Sequence, residues 1–197
     1  MRLDEEYCLS EYVDLGRLGD NEKVHIVRNQ VNGVIGVRKY VALDLEEIYL
    51  FLKENPNVYI PKIYECIQTD TNLIVIEEYL SGKNLEEMLK EKYFSEKDAA
   101  DIIICLCDAL YPLHHAKMPV ICRDLKAENV ILTNEGEVKL VDFDIARIYQ
   151  PGKSKDTVMM GTQGYAAPEQ FGFGQTDART DIYAMGVLLN YMLVREF

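Results

Sequence analysis

Short runs rich in apolar residues, most of them interleaved with polar ones, recur through the first part of the chain, over residues 12–15, 23–27 and 33–40, and again over 62–66 and 72–76, the last apolar throughout after Asn72. A period of two sends successive side chains to opposite faces of an extended backbone, so these runs predict five short strands. Gly16 and Gly19 fall between the first two, where a hairpin turn is expected. Between the third and fourth runs, residues 43–55 carry Ile48, Phe51 and Leu52 at helical spacing behind early acidic residues, which predicts one amphipathic helix ending before Pro56.

The pattern then changes period. A short helix is predicted from Asn84 to Leu89, and Ser95-Glu96-Lys97-Asp98 is a capping box opening a long one. Ala99, Ile102, Ile103, Leu106, Leu110 and Leu113 keep its apolar stripe through to His114, with Pro112 loosening the final turn. His114 and His115 are adjacent and point apart, so they read as packed or exposed residues and not as metal ligands. Two more strands, over 130–132 and 138–141, flank a turn at Asn134-Glu135-Gly136, and a buried helix begins near Thr180.

At 197 residues the chain is long enough for one substantial core or two small lobes. Hydrophobic residues make up 48% and charged ones 27%, which places it among globular chains, and a net charge of −12 argues against nucleic acid or an anionic membrane as partner. Five cysteines without metal-ligand spacing read as reduced thiols. No apolar run is long enough for a transmembrane helix and no targeting segment is visible, so a cytoplasmic location is expected.

Candidate chemistry is concentrated in one stretch, Cys122-Arg123-Asp124-Leu125-Lys126-Ala127-Glu128-Asn129, followed after the hairpin by Asp142-Phe143-Asp144. Asp124 is placed to take a proton from a hydroxyl, with the cation of Lys126 beside it. Asn129 and Asp142 offer the hard oxygen ligands that Mg2+ prefers when it also holds phosphate oxygens. These groups suit phosphoryl transfer, in which the protein mainly positions reactants and neutralises charge.

The spacing of these residues resembles the H-R-D-x-K-x-x-N and D-F-G motifs of the eukaryotic-type (Hanks-type) Ser/Thr protein kinases, with Cys122 in place of the His and Asp144 in place of the Gly. The wording of 160–174 is most like bacterial members. The resemblance implies a two-lobed α+β fold. Residues 1–80 would form a small antiparallel β lobe with one helix, and 81–197 a mainly helical lobe, with a hinge at 78–82. It implies MgATP as cosubstrate, a protein Ser/Thr hydroxyl as acceptor, and Asp124, Lys126, Asn129 and Asp142 as catalytic residues, with Asn129 and Asp142 as the Mg2+ ligands.

The resemblance also assigns the nucleotide contacts. Lys39 would hold the α and β phosphates, paired with Glu47, for which Glu46 is a close rival because one residue turns the helix face by about 100°. Gly16 would lie in a phosphate loop that lacks the family's three-glycine spacing. Val24, Val37 and Ile131 would sandwich the adenine, and the backbone around Glu78 and Leu80 would meet its edge. Glu77 would take the gatekeeper position, where its carboxylate either meets a polar partner or faces water. Asp144 stands where the family uses a glycine's freedom, so a narrower range of backbone conformations is expected.

Ser154 and Thr157 would be activation-segment phosphorylation sites opposite Arg123 and Arg147. Thr162 would hydrogen-bond Asp124 and Lys126, a pattern of Ser/Thr specificity, and Asp181 would anchor the catalytic loop's backbone. The likeness spans about the first three quarters of a kinase domain and ends before the arginine that normally pairs with Glu169. A partner or further segment is therefore expected over the exposed apolar face. Two other functions fit parts of the pattern: a nucleotide- or partner-binding module without turnover, and a small-molecule phosphotransferase.

Overall fold

A computed structural model describes residues 3–19, 22–152, 160–172 and 174–195. The chain divides into two compact units, one of residues 1–57 and 61–80, the other of 58–60 and 81–197.

The first unit opens with a helix α1 (Leu3–Ser10), which has no apolar stripe and was not expected from the pattern. A five-stranded antiparallel sheet follows: β1 (Tyr12–Arg17), β2 (Val24–Asn29), β3 (Ile35–Val41), β4 (Ile63–Gln68) and β5 (Leu73–Glu78), in the order β1-β2-β3-β5-β4. The predicted helix over 43–55 is divided into a 3-10 turn at Leu43–Leu45 and α2 (Glu46–Glu54), whose buried side holds Ile48, Tyr49 and Leu52. β5 lies between β3 and β4, and Leu73, Ile74, Val75, Ile76 and Glu77 are all buried in it. A strand paired on both edges and covered on both faces carries a continuous apolar run, with Glu77 the exception.

A register shift interrupts β1 between Asp14 and Gly16. Gly16 has a φ of +133°, and its N–H donates to Asp14 Oδ1 at 2.8 Å. The other carboxylate oxygen of Asp14 receives Arg38 Nη2 at 2.6 Å, which ties the bulge to β3. The sharp turn at Gly16 is thus built by a neighbouring aspartate and one glycine.

The second unit contains β6 (Gly82–Asn84), α3 (Leu85–Glu91), α4 (Glu96–His114), β7 (Val120–Ile121), β8 (Val130–Thr133), β9 (Val138–Leu140), β10 (Arg147–Ile148) and α5 (Ala178–Val194). β6, β8 and β9 form one antiparallel sheet, and β7 pairs with β10. The starts of α3, α4 and α5 have reciprocal caps, at Asn84 with Glu87, Ser95 with Asp98 and Asp177 with Thr180. Pro112 is exposed and α4 continues past it to His114. The buried stripe of α4, including Ile102, Leu106, Leu110 and Leu113, packs with α5, where Ala184, Met185, Leu188 and Met192 are buried.

Candidate active site

The loop between β7 and β8 is held by a carboxylate from α5. Asp181 is fully buried, and its two oxygens accept the backbone N–H of Cys122 at 3.0 Å and of Arg123 at 2.9 Å. His114, at the end of α4, brings Nε2 to 2.7 Å from Asp181 Oδ2. The buried acid therefore joins α4, α5 and the loop, and its desolvation is offset by three partners. With these two N–H groups committed, Arg123 takes a φ of +70°, an uncommon value for a bulky side chain.

Beyond that bend, Asp124 sits among three partners. Thr162 Oγ1 donates to Asp124 Oδ1 at 2.6 Å, and Lys126 Nζ lies 2.7 Å from Oδ2 and donates to Thr162 Oγ1 at 3.1 Å. Asn129 Nδ2 donates to the Asp124 carbonyl at 2.9 Å and to Oδ2 at 3.1 Å. Asp124 remains 14% and Lys126 20% exposed at the side chain. Hydrogen bonds to an ionised acceptor hold the carboxylate in one orientation while leaving it accessible, the requirement for a general base.

The segment carrying Thr162 is fixed by Gln170, a buried side chain in the 3-10 turn Pro168–Phe171. Its Nε2 donates to the carbonyls of Arg123 and Met160, both at 2.8 Å, and its Oε1 accepts the Ala167 N–H at 2.9 Å. A side chain on Gly161 would come within 2.7 Å of both Ala166 Cβ and Gln170 Nε2. Thr180 Oγ1 donates to Glu169 at 2.6 Å, so this carboxylate has a partner on α5.

Asn129 and Asp142 carry oxygen donors of the kind a hard cation takes. Asn129 is buried and uses Nδ2 on Asp124, which assigns Oδ1 as its acceptor end. Val141 N–H donates to the Asn129 carbonyl at 2.9 Å, tying Asn129 to the end of the hairpin that carries Asp142. Asp142 has a φ of +69°, and its Oδ1 accepts the Asp144 N–H at 3.0 Å. One carboxylate and one amide oxygen fit Mg2+, which binds through few protein ligands plus phosphate oxygens. Among the described residues no three His, Cys, Asp or Glu side chains gather into a separate metal site.

The left-handed residue in this segment is Asp142, and Asp144 is not among the described residues with positive φ. Cys122 is buried, and burial together with the nearby Asp181 pushes its thiol well above the ordinary range. It is a small apolar packing group in this position and not a nucleophile.

In the first unit, Lys39 Nζ lies 2.6 Å from Glu77 Oε1, with the two side chains only 13% and 9% exposed. This corrects the expected pairing with Glu47, which is exposed in the first turn of α2. Glu77 does meet a polar partner. In the β3–β5 ladder Val37 faces Glu77 and Lys39 faces Val75, so Lys39 and Glu77 are diagonal neighbours on one face. Val24 and Lys39 are also paired, as are Ile26 and Val37, which puts Val24, Val37 and Lys39 on that same face. The N–H of Glu78 is taken by the Lys62 carbonyl at 2.8 Å. In the second unit Ile131 lies on β8, half-buried, opposite Lys139. Leu80 is half-buried after β5, and Gly16 is exposed. Ser154 and Thr157 lie outside the described residues.

Residues 26–197 match the protein kinase domain family. The chain belongs to that family. Among relatives, it is 40% identical over 124 residues to a probable serine/threonine-protein kinase PknB of Corynebacterium glutamicum, covering 61% of this chain and 19% of the relative. It is 34% identical over 168 residues to an EPD1-interacting receptor-like cytoplasmic serine/threonine-protein kinase of Gossypium barbadense, covering 83% and 35%. It is 27% identical over 197 residues to the mitogen-activated protein kinase kinase SIPKK of Nicotiana tabacum, covering 94% and 55%. The chain thus spans between about a fifth and a little more than half of the length of these three. Members of the family use ATP and Mg2+. Among the described residues no helix is long and apolar enough to cross a membrane.

Two residues of this kinase domain were not recognised as functional from sequence. By its place beside His115 at a helix end, His114 reads as packed or exposed, yet in the structure it supports the acid that holds the catalytic loop. Gln170 gave no signal beyond its place after Pro168-Glu169, since a glutamine in a surface turn is ordinary. Its burial is what reveals the role.

Proposed function

We propose that this kinase domain transfers the γ-phosphoryl group of MgATP to the hydroxyl of a protein Ser or Thr. The observation that carries the reading is the arrangement around Asp124: a partly exposed carboxylate gripped by Thr162, Lys126 and Asn129. Asp124 accepts the proton of the attacking hydroxyl as its oxygen bonds to the γ-phosphorus and the bond to the β-γ bridging oxygen breaks, releasing ADP. Lys126 stands beside the developing charge. Asn129 and Asp142 hold Mg2+, which when bound neutralises the phosphate oxygens. In the first unit Lys39 is the candidate for the nucleotide's inner phosphates, with Val24 and Val37 as candidate adenine contacts; in the second unit Ile131 is a candidate adenine contact.

The two units correspond in this reading to the two lobes of a kinase. Thr162, bonded to both Asp124 and Lys126, supports Ser/Thr acceptors. A reducing cytoplasm fits the five free cysteines. Intact mass after incubation with MgATP and a generic basic Ser/Thr peptide tests the proposal, beside Asp142→Ala. Gain of whole phosphates on peptide or protein is expected from the wild type only. Equal transfer by Asp142→Ala would remove the metal assignment, and none from folded wild type would overturn the kinase reading.

A further inference from the structure

The pairing of Lys39 departs from the arrangement that the family resemblance implies, in which an acid on the following helix holds this lysine. Here the carboxylate at 2.6 Å comes from Glu77 on β5. Of the acids on the first turn of α2, Glu47 is exposed and Glu46 is half-buried.

The two carriers differ mechanically. β5 is hydrogen-bonded to β3 on one side and β4 on the other, so Glu77 is fixed relative to Lys39 by the same ladder that holds Lys39. A helix acid reaches the lysine only while α2 is docked with its first turn facing the sheet. Low exposure also matters, because an ion pair shielded from water is less screened than one at the surface.

We propose that Glu77 is the positioning residue for Lys39, so that the phosphate-binding lysine is oriented from within the sheet independently of where α2 sits. This rests on the kinase reading for the role of Lys39 toward phosphate, but the anchoring itself does not. Movement of α2, a common means of switching a site, would leave this lysine in place. A carboxylate at the gatekeeper position then has a structural reason: it meets the ammonium of Lys39.

The test uses the full chain as Glu77→Gln, Glu77→Met and the double variant E46Q/E47Q, with two readouts. The first is the rate at which Lys39 is acetylated by an N-hydroxysuccinimide ester without nucleotide, followed by peptide mass spectrometry and normalised to exposed Lys62. An amine held by a buried carboxylate must be released before it reacts. Loss of Glu77 should therefore speed Lys39 labelling about fivefold or more, while E46Q/E47Q leaves it within about twofold. Equal labelling of Lys39 in wild type and the Glu77 variants, or acceleration in E46Q/E47Q, overturns the proposal.

The second readout is the dissociation constant for MgATP beside that for adenosine, which lacks phosphates. MgATP should weaken about tenfold in Glu77→Gln with adenosine unchanged. Tighter MgATP binding would show that Glu77 withholds the lysine, and would equally overturn the proposal. If Glu77→Met does not fold, the near-isosteric Glu77→Gln still decides through Lys39 labelling, and acceleration in E46Q/E47Q overturns the proposal in either case. Wild type that labels as expected yet binds no MgATP would sink the kinase reading and leave the anchoring intact.

Discussion

Replacing Asp181 with Ala should be among the most damaging single changes in the second unit, and the structure gives its size. The carboxylate is fully buried and accepts two backbone N–H groups and the imidazole of His114. Alanine would strand both N–H groups in a dry interior, at about 1–3 kcal/mol each, giving roughly 2–6 kcal/mol. The unpaired imidazole adds to this. Whole domains are stable by only about 5–15 kcal/mol. For a chain of this size each kcal/mol moves the melting midpoint by about 2–4 °C, so a fall of roughly 4–24 °C is expected. Asp181→Asn keeps one acceptor oxygen but turns an amide donor toward existing donors, and should fall between alanine and wild type. Thermal denaturation followed by far-ultraviolet circular dichroism, with urea unfolding as a second probe, measures both. A midpoint for Asp181→Ala within about 2 °C of wild type would refute the claim that this acid holds the loop.

Three further changes probe separate parts of the site. Gly161→Ala forces a methyl to within 2.7 Å of Ala166 and of Gln170, whose amide is already committed, and should cost about 1–3 kcal/mol in urea unfolding together with loss of phosphate transfer. Alkylation of the native protein with iodoacetamide should modify exposed Cys107 and spare Cys122, which burial both hides and keeps protonated; labelling of Cys122 at the rate of Cys107 would contradict the packing assigned to it. Asp177, the cap of α5, is held below the ordinary carboxylate range, first by its hydrogen bond to the Arg179 side chain. A depressed folded value gives stability that is present above the unfolded value near 4 and lost as pH falls through the lower folded one. Asp177→Asn should therefore flatten the acid limb of the stability profile below about pH 4 and leave its slope above pH 5 unchanged; an unchanged acid limb would show that the bond is absent in solution.

Much of this was legible without coordinates. The strands at 23–27 and 72–76, the capping boxes at Asn84 and Ser95, and the stripe of α4 are local patterns, each written in residues a few positions apart. The bonds of Thr162 to Asp124 and Lys126, and of Asp181 to the catalytic loop, are implied by the family resemblance and are present in the structure. The undetected helix α1 has the opposite cause: Leu3–Ser10 has no periodic apolar face to detect.

Sequence alone determined the chain's periods, its caps and the identities of the reactive groups, because those depend on neighbours along the backbone and on side-chain chemistry. Tertiary structure decided which groups meet. Glu77 and Lys39 are 38 positions apart, and only the β3–β5 register makes them diagonal neighbours where a helix acid had been expected. His114 and Asp181 are 67 apart, and Gln170 reaches Arg123 across 47. In each case a buried polar group had to find a partner, and the chain offered several of suitable chemistry. The packing of strands and helices selected among them, since burial makes an unmet polar group costly and leaves little room for a second arrangement.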